Sequence, residues 1–138
     1  MHILLTRPIE DCSEMILKFK SLGHQVSHLP LLVVEKVNYD PINFSSSRGI
    51  IFTSANAIKF LDIKKIDKKI LCFCVGEATE KTARNNGFQN VISAEGNVQN
   101  LKELILKNFN KKDGSLIYMS VETVSFDLDQ KLLREGYN

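Results

Sequence analysis

The chain has 138 residues, 43% of them hydrophobic and 25% charged, with a formal net charge of +2, which is the size and composition of one ordinary globular domain. So small a positive balance gives no reason to expect nucleic acid as a partner, and no apolar run approaches the ~20 residues needed to span a bilayer. The opening MHILLTRP has no basic region, apolar core or cleavage pattern of a secretory signal, so a cytoplasmic protein is the simplest reading.

HILLT, residues 2–6, is a short apolar run ending at Arg7 and Pro8. Ile9, Cys12, Met15, Ile16, Phe19 and Leu22 then recur at helical spacing up to Gly23, a C-terminal stop. QVSHL, 25–29, alternates like a strand. Pro30 interrupts it, and LLVVEKV, 31–37, continues as a second extended run. DPINFSSSRG, 40–49, is turn-rich. GIIF, 49–52, reads as a buried strand, followed by a helix from Ala55 to Leu61.

The pattern repeats. KILCFCV, 69–75, reads as a strand, Gly76 as a turn, and Glu77 to Asn86 as a helix stopped by Gly87. NVIS, 90–93, is a short strand. From Asn97 to Phe109 a helix places Val98, Leu101, Leu104, Ile105 and Phe109 on one face. Lys111 to Gly114 form a loop, SLIYMS, 115–120, a strand, and Phe126, Leu128, Leu132 and Leu133 mark a last helix ending at Gly136. Strands alternating with short helices predict an α/β class: a parallel sheet flanked by helices, flavodoxin-like. Most strands are apolar throughout, as expected when both faces of a sheet are covered.

ILLTRP is followed by Gly23 sixteen residues after Arg7, and LIYMSV by Gly136 sixteen residues after Ser120. Each copy reads as strand, turn, helix and glycine stop. The first copy runs on into QVSHL, the second into Tyr137 and Asn138, so the chain reads as cut short.

The three cysteines, Cys12, Cys72 and Cys74, have no framework spacing and no accompanying ligands, so neither a disulfide scaffold nor a metal site is expected. In a strand, Cys72 and Cys74 would share one face as small buried hydrophobes. No chemical role is expected for His2, His24 or His28. Lys64, Lys65, Lys68 and Lys69 read as a solvated helix end, with steering of an anionic ligand as the sharper alternative.

Ligands of parallel sheets bind outside the carboxyl ends of the strands. Those ends are Thr6-Arg7, Thr53-Ser54-Ala55-Asn56, Val75-Gly76-Glu77, Ser93-Ala94-Glu95-Gly96 and Met119-Ser120. Small polar residues and glycine dominate, which suits an anionic ligand held largely by main-chain donors at helix N-termini. The blander reading is that Ser54 and Thr79 simply cap helices. GxxxxGK[ST] and a strand-following GxGxxG are both lacking, so neither a P-loop nor a dinucleotide site is expected.

ILLTRP, then IFTSANAI, then CVGEATEKTARNNGF, then LIYMS with a helix ending LLREGYN resembles the uroporphyrinogen-III synthase family in order and approximate spacing. The resemblance implies two α/β domains, the first discontinuous. Residues 1–35 would begin domain one and lead into the outgoing connector LLVVEKV, residues 36–138 would form domain two, and the rest of domain one would be missing. It implies a lyase of tetrapyrrole and haem biosynthesis. This enzyme closes hydroxymethylbilane into uroporphyrinogen III with loss of water and inversion of the terminal ring, using no metal or organic cofactor. The implied partner is that small-molecule substrate, with no nucleic acid or membrane. The full-length form would be a monomer and a shortened one a dimer.

By motif, Arg7 is expected to face the cleft. Thr53, Ser54, Asn56 and Ala57 would offer backbone and side-chain donors to the substrate's carboxylates. Gly76 would let a ligand approach the main chain, Thr79 would cap the helix or contact the ligand, and Ser120 is a weaker candidate. Catalytic residues remain unassigned. Family members often carry a glycine and an arginine after the last strand, where this chain has SVETVSFDL. The family's candidate tyrosine acid matches neither Tyr118 nor Tyr137, so activity of residues 1–138 alone is not expected. The alternative is a non-catalytic flavodoxin-like module that binds a small anion or a protein partner. A receiver-type variant would need acidic residues at strand ends that lack Asp.

Overall fold

The structure is a computed structural model that describes residues 1–120 and 126–138. The chain divides into two compact units, Met1–Val37 and Asn38–Asn138.

In the first unit, strand β1 (His2–Leu5), helix α1 (Ile9–Ser21) and strand β2 (Gln25–His28) form a parallel β-α-β element. The two strands pair from His2 opposite Gln25 to Leu5 opposite His28. Glu10 and Asp11 in the first turn of α1 and Lys18 and Lys20 in its last complement the helix dipole. Gly23, at φ 79°, supplies the left-handed turn that ends it. Cys12 is the buried anchor of α1, its thiol 3.3 Å from the Pro8 carbonyl. Residues 31–37, expected to be extended, join no sheet among the described residues, because a strand needs a neighbouring ladder. Leu31, Leu32 and Val33 are consequently exposed.

In the second unit, β3 (Ser47–Phe52), α2 (Ala55–Phe60), β4 (Leu71–Val75), α3 (Glu77–Asn85), β5 (Asn90–Ala94), α4 (Val98–Asn108), β6 (Ser115–Met119) and α5 (Leu128–Arg134) follow in order. A 3-10 turn over Ile63–Lys65, not foreseen from the sequence, precedes β4. The expected start of β4 at Lys69 is two residues early. The Lys69 amide is taken by the Asp67 carboxylate at 2.9 Å and that of Ile70 by the Asp67 carbonyl at 3.1 Å, so both residues belong to the turn.

All pairings in this sheet are parallel, in the order β5-β4-β3-β6. The class expected from the sequence, a parallel sheet flanked by helices in a flavodoxin-like arrangement, is what forms. Period-two alternation divides the central strands between two cores. Ile50, Phe52, Cys72 and Cys74 pack with Ile58 of α2 and Ala83 of α3. Ile51 and Phe73 pack on the opposite face with Leu101 and Ile105 of α4 and Leu128 and Leu132 of α5. Burial of each isoleucine, leucine or phenylalanine among them contributes about 1.5–3 kcal/mol. It also explains why β3 and β4 are apolar without a break.

Candidate functional site

The four strands run in one direction, and Phe52 lies opposite both Cys74 and Met119, Val75 opposite Ala94. Thr53, Gly76, Glu95 and Ser120 therefore follow the strands along a single carboxyl edge. The chain proceeds from β3 through α2 on one face, whereas the helices flanking β6 lie on the other. The strand order thus reverses between β3 and β6. Such a switch point opens a crevice outside the strand ends where α/β folds bind ligands.

Ser54 occupies the N-cap of α2 with extended backbone (φ −148°, ψ 141°), its hydroxyl accepting from the Asn56 amide at 3.2 Å. The Ser54 carbonyl accepts from the Ala57 amide, also at 3.2 Å. The capping reading is the correct one for Ser54. The Asn56 and Ala57 amides are thus engaged within the helix end. The Thr53 hydroxyl and the Asn56 carboxamide are the polar side-chain groups beside them, both on half-buried residues.

Gly76 has φ 77°, the left-handed region that glycine enters without strain. A Cβ built there meets nothing within 4 Å, so the space above it is open to a ligand. Its own amide donates to the Ala94 carbonyl at 3.0 Å. Thr79 departs from its expected capping role. Helix α3 starts at Glu77, directly after Gly76, with no side-chain cap. Thr79 therefore falls inside the first turn, buried at 5% exposure. Ser120 directly follows β6 and is exposed. Arg7 belongs to the first unit, exposed, with its carbonyl accepting from His28 Nε2 at 2.8 Å. Most of SVETVSFDL, residues 121–125, lies outside the described residues.

Two groups at this edge were not singled out from the sequence. Asn97 caps α4, accepting from the amides of Gln99 at 2.9 Å and Asn100 at 3.2 Å. The Tyr118 hydroxyl lies 3.4 Å from Thr53 Oγ1. Asn97 carries a local signal, an Asx residue before an apolar-periodic run. Tyr118 carries none, because its place depends on the register between β3 and β6.

The cysteines, the histidines and the lysine cluster lie elsewhere. Cys72 and Cys74 are fully buried with sulfurs 3.7 Å apart, on one face as expected. The hydrogen bond with Cys74 and burial push the Cys72 thiol far above its ordinary range, so it stays protonated and unreactive. His2 bonds Ser27 Oγ at 2.8 Å and His24 packs on Phe19, both in the first unit. Lys64 to Lys69 precede β4 and so sit at the amino edge, opposite the candidate site. There Lys65 pairs with Asp62 at 3.4 Å, and the Lys68 ammonium lies over the Phe88 ring at 4.5 Å with its pKa lowered by burial. This position removes the basis for a steering role. A cavity of about 520 Å³ lined by Lys107, Phe109, Lys111, Glu135 and Tyr137 likewise lies at the amino edge.

The family described as uroporphyrinogen-III synthase HemD matches residues 13–138. The chain belongs to this family. Among curated proteins no relative matches it. For a uroporphyrinogen-III synthase-like protein the natural ligand class is a small-molecule tetrapyrrole. The matched span contains Thr53, Ser54, Asn56, Ala57, Gly76, Thr79 and Ser120, while Arg7 precedes it. Among the described residues no helix is long and apolar enough to cross a membrane.

Proposed function

We propose that this chain carries the substrate-binding elements of a uroporphyrinogen-III synthase. This is a cytoplasmic hydro-lyase that closes hydroxymethylbilane into uroporphyrinogen III with loss of water and inversion of the terminal ring. The observation that carries this reading is the family match over residues 13–138. The chemistry of the carboxyl edge supports it. Thr53, Asn56 and Ser120 are neutral donors, Gly76 leaves open space, and α4 begins there with partial positive charge and no acidic residue in its first turn. Such an edge suits a ligand bearing eight carboxylates.

The preactivated substrate can cyclise unaided to the uninverted isomer. The protein's work is then to hold the chain so that the inverted closure is reached first, and to ease departure of hydroxide. Neutral hydrogen-bond donors meet the first requirement without any change of protonation state. In this reading residues 1–35 begin a discontinuous first domain and residues 36–138 form the second, which the division after Val37 supports. The intact protein acts as a monomer. A shortened form dimerises, covering exposed apolar side chains of the first unit such as Leu4, Leu17 and Leu22.

The test is to incubate the purified intact protein, rather than residues 1–138 alone, with hydroxymethylbilane and separate the oxidised products by chromatography. The III isomer is expected in excess of the unaided reaction. Accumulation of the I isomer alone, at the unaided rate, refutes catalysis. Tight binding of flavin mononucleotide without binding of uroporphyrin III favours instead a non-catalytic module.

A further inference from the structure

We propose that Thr53 and Tyr118 together form a two-pronged clamp for one ligand carboxylate at the β3–β6 switch point, which makes Tyr118 a ligand-contacting residue. The inference rests on the tetrapyrrole reading above and adds a residue that the local sequence gives no reason to select.

The register supplies the geometry. Tyr118 lies opposite Ile51 in the β3–β6 ladder, and both pack on the core formed with α4 and α5. Thr53 stands two residues beyond Ile51, so its side chain falls on that same face. The length of the tyrosine carries its hydroxyl along the strand direction to the Thr53 hydroxyl at the carboxyl edge, 3.4 Å away.

That separation matters. A committed O–H···O bond is about 2.7–2.8 Å. At 3.4 Å the Thr53–Tyr118 contact is longer than that and either hydroxyl can be its donor, so a carboxylate placed beside them can draw both protons. A carboxylate has two oxygens with about four acceptor positions, so two O–H donors this far apart can engage it at once. The Tyr118 ring is packed against the core, so its hydroxyl stands on a rigid support and little rotamer entropy is lost on binding. Two neighbouring oxygens at this edge, Ser54 Oγ and Asn97 Oδ1, are engaged in their helix caps.

The experiment is a fluorescence titration of uroporphyrin III into the 138-residue protein, the Tyr118→Phe and Thr53→Val variants, their double variant, and Tyr137→Phe. Parallel titrations use flavin mononucleotide and inorganic phosphate. Urea unfolding of each variant checks that it is folded. Thr53→Val reads the same clamp if Tyr118→Phe does not fold. Each clamp variant is expected to weaken uroporphyrin III binding roughly tenfold, the loss of one hydrogen bond to a charged group at a partly exposed site. The double variant should lose clearly less than the product of the two, because both donors serve one carboxylate. Tyr137 donates to the Phe109 carbonyl at 3.1 Å beside the amino-edge cavity, so Tyr137→Phe should bind as the parent does.

Unchanged uroporphyrin III binding in folded Tyr118→Phe overturns the clamp while leaving the tetrapyrrole reading intact. Fully multiplicative losses overturn the shared carboxylate. Weakening of phosphate or flavin mononucleotide binding but not of uroporphyrin III overturns the carboxylate assignment. Failure of the parent protein to bind uroporphyrin III refutes the tetrapyrrole reading itself, and the clamp with it.

Discussion

Gly49 tests how tightly β3 is held between β6 and α4. The β3–β6 register shifts between Ser47 and Gly49, so Arg48 is a bulged residue and Gly49 resumes the ladder opposite Leu116. A Cβ on Gly49 would lie 2.5 Å from Leu116 Cδ2 and 3.0 Å from the Phe109 ring. Leu116 can move the end of its side chain. Phe109 has less freedom, since its ring packs against Phe73 at 6.4 Å and Tyr137 at 6.3 Å between centroids. Overpacking of this kind costs about 1–3 kcal/mol. Gly49 does not have a positive φ, so alanine meets no backbone strain and recovers about 0.4–1 kcal/mol by restricting the unfolded chain. The net expectation for Gly49→Ala is a loss of about 0.5–2 kcal/mol. For a unit of this size that lowers Tm by roughly 3–12 °C. Gly49→Val should cost more, because each added methyl enters the same space. The measurement is urea and thermal unfolding of the three proteins followed by circular dichroism. Gly49→Ala as stable as the parent, with Gly49→Val no worse, would refute the close-approach argument.

The thiol pair and the α2 cap give further tests. Cys72 has its folded-state pKa raised far above the ordinary 9.0, so its contribution is fully present below pH ~8.5 and is lost as pH rises above the unfolded value. Unfolding free energy should fall by up to about 1.4 kcal/mol per pH unit through the alkaline range from this group. Denaturant titrations from pH 7 to 10 should show a shallower fall for Cys72→Ala, and equal slopes would count against the assignment. At the cap, Ser54→Ala should cost about 1 kcal/mol and Ser54→Gly only a few tenths. Asn56→Ala should leave stability nearly unchanged while weakening uroporphyrin III binding. If Ser54→Gly is as damaging as Ser54→Ala, the Ser54 hydroxyl does more than cap.

Periodicity alone fixes much of this protein. Cys12 and Phe19 at helical spacing mark α1, and the unbroken apolar runs of β3 and β4 mark strands covered on both faces. Gly23, Gly87 and Gly136 stop helices in the left-handed conformation expected of them. The alternation that places Cys72 and Cys74 on one face and Phe73 on the other follows from the strand period. These are local properties, set by each residue's own neighbours in sequence. The order of motifs likewise carries the family resemblance.

The use of the polar groups at the carboxyl edge is not local. The same letters, TSANA, serve equally for a capped helix and a ligand site. Only the folded chain shows that Ser54 takes the Asn56 amide, and that α3 starts at Glu77 so that Thr79 is buried inside it. The bulge at Arg48 and the lack of room at Gly49 exist only because β6 returns beside β3. The meeting of Tyr118 with Thr53 has the same origin. The two are 65 residues apart in the chain. Strand register, set by packing α4 and α5 against one face of the sheet, decides which hydroxyls stand together where a ligand can reach them.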